Sequence, residues 1–226
     1  MRSLILASAS PRRRELLGLL GLPFEVRVAG IDETPRDGES AEAYVRRVAR
    51  EKAEAVTPPP APSLRNNAAG EESLVIAADT EVVVDGEILG KPYNAVEART
   101  MLTRLRGRTH NVLSAITIID PGSRTRVEAL CCSRVPMRNY SDVELAAYAE
   151  SGDPLDKAGG YAIQHEEFHP VESFNHCYAS VMGLPLCHLA RALRAFGIEP
   201  KADVPTACQR FNHYQCSVYR EILGYP

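Results

Sequence analysis

The chain has 226 residues, 45% of them hydrophobic and 24% charged, with a formal net charge of -3. These values are ordinary for globular proteins and predict one large folded domain, with two small domains as the alternative. The slightly acidic balance argues against bulk electrostatic binding to nucleic acid, and no apolar run is long enough to span a membrane. Because the six cysteines form no Cys-x-x-Cys pair, we expect free thiols in a reducing compartment. The first fourteen residues contain arginine and serine and no acid, as a mitochondrial leader does, but we expect them to belong to the mature fold and therefore expect a cytoplasmic protein.

The first twenty residues combine a short apolar run with an arginine-rich start of a helix. Residues 4–7 predict a buried strand, and Ser10 and Pro11 suit the N-cap and the first position of a helix. Residues 12–14 are three arginines in the first helical turn, where the helix dipole disfavours each cation by up to ~1 kcal/mol. Free backbone N–H groups, serine hydroxyls and guanidinium groups in one place favour a phosphate-like anion site over a solvated face.

The next segments alternate between strand and helix patterns. Residues 24–28 predict a half-buried strand, and a loop containing Glu33 leads into a helix over residues 40–56. Lys52 lies on the inward stripe of this helix, where it either points into a pocket or reaches along the surface into solvent. The Pro-rich segment 57–73 has no periodicity, and we expect a mobile surface insertion there.

A buried strand pattern in the middle of the chain leads to an acidic residue. Residues 74–78 are apolar and are followed by Asp79 and Thr80, as expected where a strand of an open α/β sheet ends at a ligand. Residues 81–89 predict a hairpin with an Asp-Gly turn, which brings Lys91 back towards Asp79. An Asp79–Lys91 ion pair is the structural alternative to a catalytic or metal-binding carboxylate.

The second half of the chain continues the α/β pattern. Its predicted elements are helices at 94–107, 141–152 and 186–196, a long hairpin of 109–119 with 126–135, and a short strand at 178–182. His110, at the start of the hairpin, is expected to be a structural histidine. The tail 201–226 carries no recognisable chemistry.

A glycine-rich loop between these elements is a second candidate for binding. It consists of Asp153-Pro-Leu-Asp156-Lys157-Ala-Gly159-Gly160-Tyr161-Ala-Ile-Gln164. The paired glycines predict a close approach of the backbone to another group, and the charged and amide side chains favour ligand binding. A structural turn with an internal ion pair is the alternative.

Together the candidate residues place cations and carboxylates in one site. Ser8, Ser10, Arg12 and Arg13, with Lys52 and Lys91, would bind phosphate, and the carboxylates of Glu33 and Asp79 suit Mg²⁺ or Mn²⁺. This combination predicts hydrolysis or transfer at a polyphosphate. The chain contains neither the Gly-x-x-x-x-Gly-Lys-[Ser/Thr] motif of P-loop enzymes nor the Gly-x-Ser-x-Gly motif of many esterases.

Several of these stretches resemble, in the same order, the Maf-type nucleotide pyrophosphatases, which are related to septum-formation inhibitors. The matching stretches cover roughly residues 3–197 and are Leu6-Ala-Ser8-Ala-Ser10-Pro11-Arg12-Arg13, Ala49-Arg-Glu-Lys52-Ala, Ala78-Asp79-Thr80, Gly90-Lys91-Pro92, the glycine-rich loop 153–164 and Gly183-Leu-Pro-Leu. The resemblance implies an α/β fold whose mixed central sheet is flanked by helices, as in inosine-triphosphate pyrophosphatases. It assigns residues 1–200 to this domain and 201–226 to an extension, with a homodimer as one assembly.

The resemblance also implies hydrolysis of a nucleoside triphosphate to the monophosphate and pyrophosphate, with help from Mg²⁺ or Mn²⁺. Asp79 would accept a proton from the attacking water, and Glu33 would be a second carboxylate for metal or water. The residues that would hold the phosphate chain are Ser8, Arg13, Lys52 and Lys91. Arg12, Thr80 and Gln164 match the specificity positions of the branch that prefers dTTP and UTP, and Asp156 and Lys157 belong to the predicted binding loop. The Gln164 amide can both donate to and accept from a pyrimidine edge.

The chain departs from the family pattern directly after Gln164. His165-Glu-Glu-Phe-His169 follows where the family has glycine-containing sequence, so the substrate is less well defined than the reaction. We expect dTTP, UTP and modified pyrimidine nucleotides as substrates. A purine or 7-methyl-GTP pyrophosphatase and a non-catalytic nucleotide-binding regulator of cell division are the alternatives, and the acid Asp79 beside the phosphate-binding groups disfavours the regulator.

Overall fold

A six-stranded mixed sheet forms the centre of the computed structural model, which describes residues 2–57 and 73–225. The strands are β1 (Leu4–Leu6), β2 (Phe24–Val26), β3 (Leu74–Val84), β4 (Glu87–Ile88), β5 (Thr109–Ile119) and β6 (Arg126–Pro136). Their order is β2-β1-β3-β5-β6, with β4 paired to β3. β1 runs parallel to β2 and β3, whereas the β3, β4, β5 and β6 pairings are antiparallel. The predicted insertion at 57–73 lies, apart from its two end residues, outside the described residues.

Helices flank this sheet, as the sequence predicts. They are α1 (Pro11–Gly18), α2 (Ala41–Val56), α3 (Ala95–Leu105), α4 (Asp142–Glu150), α5 (Tyr178–Met182), α6 (Leu186–Arg194), α7 (Val204–Phe211) and α8 (Tyr219–Leu223), and two 3₁₀ turns cover Asp153–Asp156 and Ala158–Gly160. Ser10, Ser40 and Asn94 accept hydrogen bonds from the first turns of α1, α2 and α3. Ser141 and Glu144 form a complete capping box at α4. None of the described helices is long and apolar enough to cross a bilayer.

The sheet separates two apolar layers. On one face, Val45 and Ala49 of α2 pack against Ala115 of β5. The opposite face carries the main core, which includes Leu16, Leu17, Leu102, Leu145 and Leu189 from four different helices. Burying each of these leucines stabilises the fold by roughly 1.5–3 kcal/mol. This arrangement confirms the predicted α/β class with a mixed central sheet.

Two sequence-based element predictions are wrong. Tyr178–Met182 forms the helix α5, not a strand, and Gly183 ends it with a φ of 117°. A five-residue apolar run is too short for its periodicity to separate helix from strand. The strand that was expected to end at Asp79 continues to Val84, so Asp79 lies in the middle of β3.

The edge of β3 has a gap between the segments that pair with β1 and β4. β1 pairs only with Leu74–Ile76, and β4 pairs only with Val83 and Val84. Residues 77–82 therefore pair with β5 on one side, and no described strand pairs with them on the other. The side chains of consecutive residues point to opposite faces, so this gap presents groups from both faces of the sheet.

The C-terminal segment is integrated into the fold. Its helices α7 and α8 pack against α6, and their residues Val204 and Leu223 join the main core. Over residues 201–225, the predicted extension is therefore part of the packed structure.

Candidate active site

A cavity of about 360 Å³ opens at the gap in the sheet. Its size is typical of a small-molecule site, for which volumes of about 300–1,000 Å³ are usual. The eleven residues assigned to the site from the sequence all line it: Ser8, Arg12, Arg13, Glu33, Lys52, Asp79, Thr80, Lys91, Asp156, Lys157 and Gln164. The fold thus brings together side chains that are up to 156 positions apart in the chain, from Ser8 to Gln164.

The loop after β1 and the first turn of α1 form one wall of the cavity. Ser8 Oγ accepts a hydrogen bond from the backbone N–H of Ser10 at 3.2 Å. Arg13 Nε donates to the carbonyl oxygen of Gly183 at 2.9 Å, so its guanidinium group is held inside the site. Burial lowers the pKa of Arg13, an effect that the charges of Asp79 and Glu33 oppose. Arg14 is exposed and does not line the cavity.

Lys52 points into the cavity from α2, as one of the two sequence interpretations predicts. Its Nζ lies 2.8 Å from Asp79 Oδ1 and 2.8 Å from Glu33 Oε2. The ion pair predicted as an alternative between Asp79 and Lys91 is absent among the described residues, because Lys52 takes that place. Lys91 instead lies exposed at the cavity. A lysine therefore joins the two carboxylates that the sequence assigns to the site.

Glu81 is a cavity residue that the sequence analysis missed. It follows Asp79 by two positions on β3, so both side chains lie on the same face of the sheet. Burial and the nearby charge of Asp79 raise the pKa of Glu81 to about 8, and Lys52 and Lys91 partly oppose this shift. The period of two from Asp79 along a strand is the signal that could have revealed it.

The opposite face of β3 contributes a hydroxyl group. Thr80 Oγ1 lies 2.9 Å from Ser114 Oγ, which in turn donates to the carbonyl oxygen of Ser180 at 2.6 Å. This chain of hydrogen bonds fixes Thr80 beside Gly183 and Arg13. Gln164 also lines the cavity and is exposed. The cavity therefore wraps around the edge of the sheet, with the carboxylates on one face and Thr80 on the other.

The glycine-rich loop uses its charged residues internally. Lys157 Nζ donates to the Asp153 carbonyl oxygen, to Asp153 Oδ1 at 3.0 Å and to Asp156 Oδ1 at 2.6 Å. The second oxygen of Asp156 accepts from Arg12 at 3.0 Å. All three N–H groups of Lys157 are thus occupied, which matches the structural alternative, and substrate binding by Asp156 and Lys157 stays a prediction.

The close backbone approach predicted for the paired glycines is made to the protein itself. A Cβ on Gly159 would lie 2.9 Å from the Val82 side chain, and a Cβ on Gly160 would lie 3.5 Å from Pro92. The two glycines therefore seat the loop against β3 and the segment after β4, where it borders the cavity.

Comparison with known proteins identifies the family. Residues 3–196 match the family described as "Maf-like protein". The chain belongs to the Maf-like family.

Relatives of this Maf-like chain share most of its length. It is 51% identical over 195 residues to a protein of Methylococcus capsulatus named "dTTP/UTP pyrophosphatase", covering 86% of this chain and 91% of the relative. A protein of Myxococcus xanthus with the same name is 47% identical, covering 86% and 93% of the two chains. One from Desulforamulus reducens, again with that name, is 42% identical and covers 88% and 99%.

The departure from the Maf pattern after Gln164 forms a packed turn. Phe168 stacks on Tyr148 with ring centroids 4.2 Å apart, and His165 meets the same ring edge-on at 4.7 Å. His165 Nδ1 also accepts a hydrogen bond from the backbone N–H of Phe168 at 3.0 Å. These contacts attach the turn to α4. Gln164 therefore directly precedes a segment that is fixed by the packing of His165 and Phe168 on Tyr148.

The Maf-like site offers acceptors for a divalent cation but no preformed cage. Within residues 2–57 and 73–225, no three His, Cys, Asp or Glu side chains converge on one point. However, Asp79 is only 3% exposed, and its Oδ2 is buried without a hydrogen-bond partner in the protein. Because Mg²⁺ is usually bound by one or two carboxylates together with substrate phosphates, this free oxygen fits a cation that arrives with a triphosphate.

The remaining predicted features are structural. His110 is buried, and its Nε2 lies 2.8 Å from the hydroxyl group of Tyr161. Burial lowers the pKa of His110 to about 4, which keeps the ring neutral at physiological pH. The six cysteines are all free, as predicted.

Proposed function

We propose that this Maf-like protein hydrolyses nucleoside triphosphates to the monophosphate and pyrophosphate, with dTTP, UTP and modified pyrimidine nucleotides as substrates. The observation that carries this proposal is a buried carboxylate, Asp79, beside Lys52 and Arg13 in one cavity. The names of relatives that match 86–88% of the chain support the same reaction.

The phosphate chain would lie against the wall formed by α1. The first backbone N–H groups of α1, the Ser8 hydroxyl and the Arg13 guanidinium stabilise negative charge there, and Lys52 and Lys91 extend the cationic surface. These groups neutralise charge on the pyrophosphate as it leaves. The Arg13–Gly183 hydrogen bond orients the guanidinium group before substrate binds, so little reorganisation is needed.

Asp79 would act on the attacking water. Lys52 contacts Oδ1 and thereby fixes the orientation of the carboxylate, which would accept the proton from water. The water attacks phosphorus, and the bond between the α and β phosphates breaks. A bound Mg²⁺ or Mn²⁺ would neutralise phosphate charge, and Glu33 and Asp79 are the residues proposed to hold it.

The base would be read on the Thr80 side of the sheet edge. Arg12 is oriented by Asp156, and the Gln164 amide offers both a donor and an acceptor, which suits the edge of uracil or thymine. Thr80 is fixed by Ser114 and lies beside Arg13 of the phosphate wall.

A substrate panel tests the proposal. Pyrophosphate release is measured with the full chain and Mg²⁺ or Mn²⁺, using dTTP, UTP, dCTP, ATP, GTP and 7-methyl-GTP. We expect dTTP and UTP to be turned over fastest. Preference for a purine or for 7-methyl-GTP would replace the substrate assignment, and tight binding without turnover of any nucleotide would favour the regulator instead.

We also propose a cytoplasmic protein that needs neither nucleic acid nor a membrane as partner and that forms a homodimer. The free cysteines and the net charge of -3 support the first part. Light scattering after size-exclusion chromatography tests the assembly, and a monomeric mass would contradict the dimer.

A further inference from the structure

The carboxylate of Glu81 has no role in the reaction as described above. It lines the same cavity as Asp79 and lies on the same face of β3. Their partners on β5 are Leu113 and Ala115, two residues that offer no charge. The two acids are therefore neighbours at the gap, with an apolar strand beside them.

Each of the two carboxylates has a buried oxygen without a partner. Asp79 Oδ2 and Glu81 Oε2 are both inaccessible to solvent, and neither makes a hydrogen bond in the protein. Of the four oxygens of these two acids, Lys52 contacts Asp79 Oδ1 alone. Lys91 forms no ion pair with either acid among the described residues. Buried polar atoms in native proteins are nearly always satisfied, and a buried charge needs a counter-charge or a metal.

A divalent cation matches this unsatisfied pair. Mg²⁺ and Mn²⁺ prefer oxygen ligands, and a site with two protein carboxylates commonly takes its remaining ligands from water and substrate phosphates. The cation would also remove the repulsion between the two neighbouring acids. Glu33, the other carboxylate proposed to hold the cation, does not belong to this buried pair, because its side chain is 49% exposed.

We propose that Glu81 is a ligand of the divalent cation, which it binds together with Asp79. This inference rests on the metal-dependent reaction proposed above. The proposed metal ligands are then two carboxylates, Asp79 and Glu81, at alternate positions of β3. Both lie where no described strand pairs with the edge of β3.

Metal binding by the full chain tests this proposal without nucleotide turnover. The electron paramagnetic resonance signal of free Mn²⁺ is followed during titration, with the metal alone and with a non-hydrolysable α,β-methylene analogue of dUTP. We expect Glu81→Gln to weaken Mn²⁺ binding at least about tenfold, because even groups that only support a metal ligand are typically worth 10- to 100-fold in affinity. Glu87→Gln, which removes an exposed carboxylate on β4, is the matched control and should bind Mn²⁺ like the wild type.

Thermal unfolding separates a metal ligand from a structural residue. Without metal, Glu81→Gln should unfold at about the wild-type temperature, since the amide keeps the size of the side chain. The rise in unfolding temperature that Mn²⁺ causes in the wild type should be smaller in the variant.

Two results would overturn the proposal. One is Mn²⁺ affinity in Glu81→Gln equal to that of the wild type, and the other is a wild-type protein that binds no Mn²⁺ with or without the analogue. A wild-type protein that binds Mn²⁺ through Glu81 yet hydrolyses no nucleotide would contradict the proposed function and leave this inference intact.

Discussion

The two carboxylate oxygens of Asp79 have different surroundings, since Oδ1 contacts Lys52 and Oδ2 is buried without a partner. A substitution that removes the charge but keeps the shape therefore tests the role of the carboxylate. We expect Asp79→Asn to lower kcat by about 10²–10⁴-fold, the usual contribution of a general base. The amide keeps the size of the side chain and its place beside Lys52, so nucleotide binding measured without metal should change little. Steady-state rates of pyrophosphate release and equilibrium nucleotide binding measure the two effects separately.

Asp37→Asn is the control for this change. Asp37 is exposed and lies outside the cavity, so its substitution should leave both quantities unaltered. Full activity in Asp79→Asn would show that another group takes the proton.

At Gly159, the addition of a single methyl group should lower the stability of the fold. Its φ is 69°, and an added Cβ would lie 2.9 Å from Val82. We expect Gly159→Ala to lower the free energy of unfolding by about 1–3 kcal/mol, from backbone strain and overpacking. Denaturant titration measures this change.

Gly18→Ala provides the comparison, since a Cβ there meets no atom within 4 Å and the residue is helical. It should be neutral or slightly stabilising. Equal effects of the two substitutions would mean that the contact with Val82 is not important.

At the scale of elements, the segment 153–157 connects α4 to the base side of the cavity. The Asp156 carboxylate accepts hydrogen bonds from Lys157 through one oxygen and from Arg12 through the other. We expect Lys157→Met to free Asp156 and to raise the KM for dTTP about tenfold, with a smaller effect on kcat, because Arg12 loses its orientation and not its charge. Initial rates over a range of dTTP concentrations give both constants.

The exposed residue Lys201 is the matched control for this prediction. Lys201→Met should leave KM unchanged. A fall in kcat without a change of KM in Lys157→Met would instead indicate that Lys157 acts on the reacting groups.

Helix α2 is anchored near its start by a second charged cluster. Arg47 is 4% exposed and donates to both carboxylate oxygens of Glu39, at 2.7 and 2.8 Å. Its guanidinium group lowers the pKa of Glu39 to about 2. Since this pKa is depressed, the resulting stability is present above the ordinary glutamate pKa of ~4.3 and is lost as pH falls towards about 2.

The pH dependence of the unfolding temperature tests this anchor. The wild type should unfold at a higher temperature than Arg47→Gln near pH 6, and the difference should shrink as pH falls from about 4.5 to about 2. A difference that stays constant over this range would assign the effect of Arg47 to packing.

Elements with long apolar patterns were predictable from the sequence. The limits 109–119 of β5 were predicted as observed, and α2 was placed to within a residue, because each pattern extends over eleven or more residues. α5 was not predictable, since its five residues fit either period. The strand was expected to end at Asp79 because the apolar run stops there, whereas the backbone goes on pairing with β5 as far as Val83.

The members of the site were easier to predict than their pairings. Local patterns and family resemblance pointed to Lys52, Lys91 and Asp79. Which lysine reaches Asp79 depends on how α2 packs across the sheet, and this long-range geometry is not written in either segment alone. Glu81 was missed because its role depends on β3 continuing past Asp79.

At the scale of the whole molecule, the C-terminal helices complete the core on the side of α6. Leu223 of α8 is 8% exposed and belongs to the main core. We expect Leu223→Ala to lower the free energy of unfolding by about 2 kcal/mol, the lower end of the range for buried leucines, with no change in KM. Denaturant unfolding followed by circular dichroism measures the first quantity.

Val143→Ala is the reference for this substitution, because Val143 is 79% exposed on α4. It should alter stability by no more than about 0.5 kcal/mol. If Leu223→Ala behaved in the same way, the C-terminal helices would contribute little to the fold.

The gap along residues 77–82 also bears on how this protein avoids aggregation through the edge of its sheet. An open strand edge exposes backbone N–H and C=O groups that a strand of another molecule can use to start aggregation. Here the edge is closed at both ends by β1 and β4 and is flanked by the charged groups of Glu33, Lys52 and Lys91. An intruding strand would have to dehydrate these groups, so the charges that suit a triphosphate also protect the chain from β-sheet polymerisation.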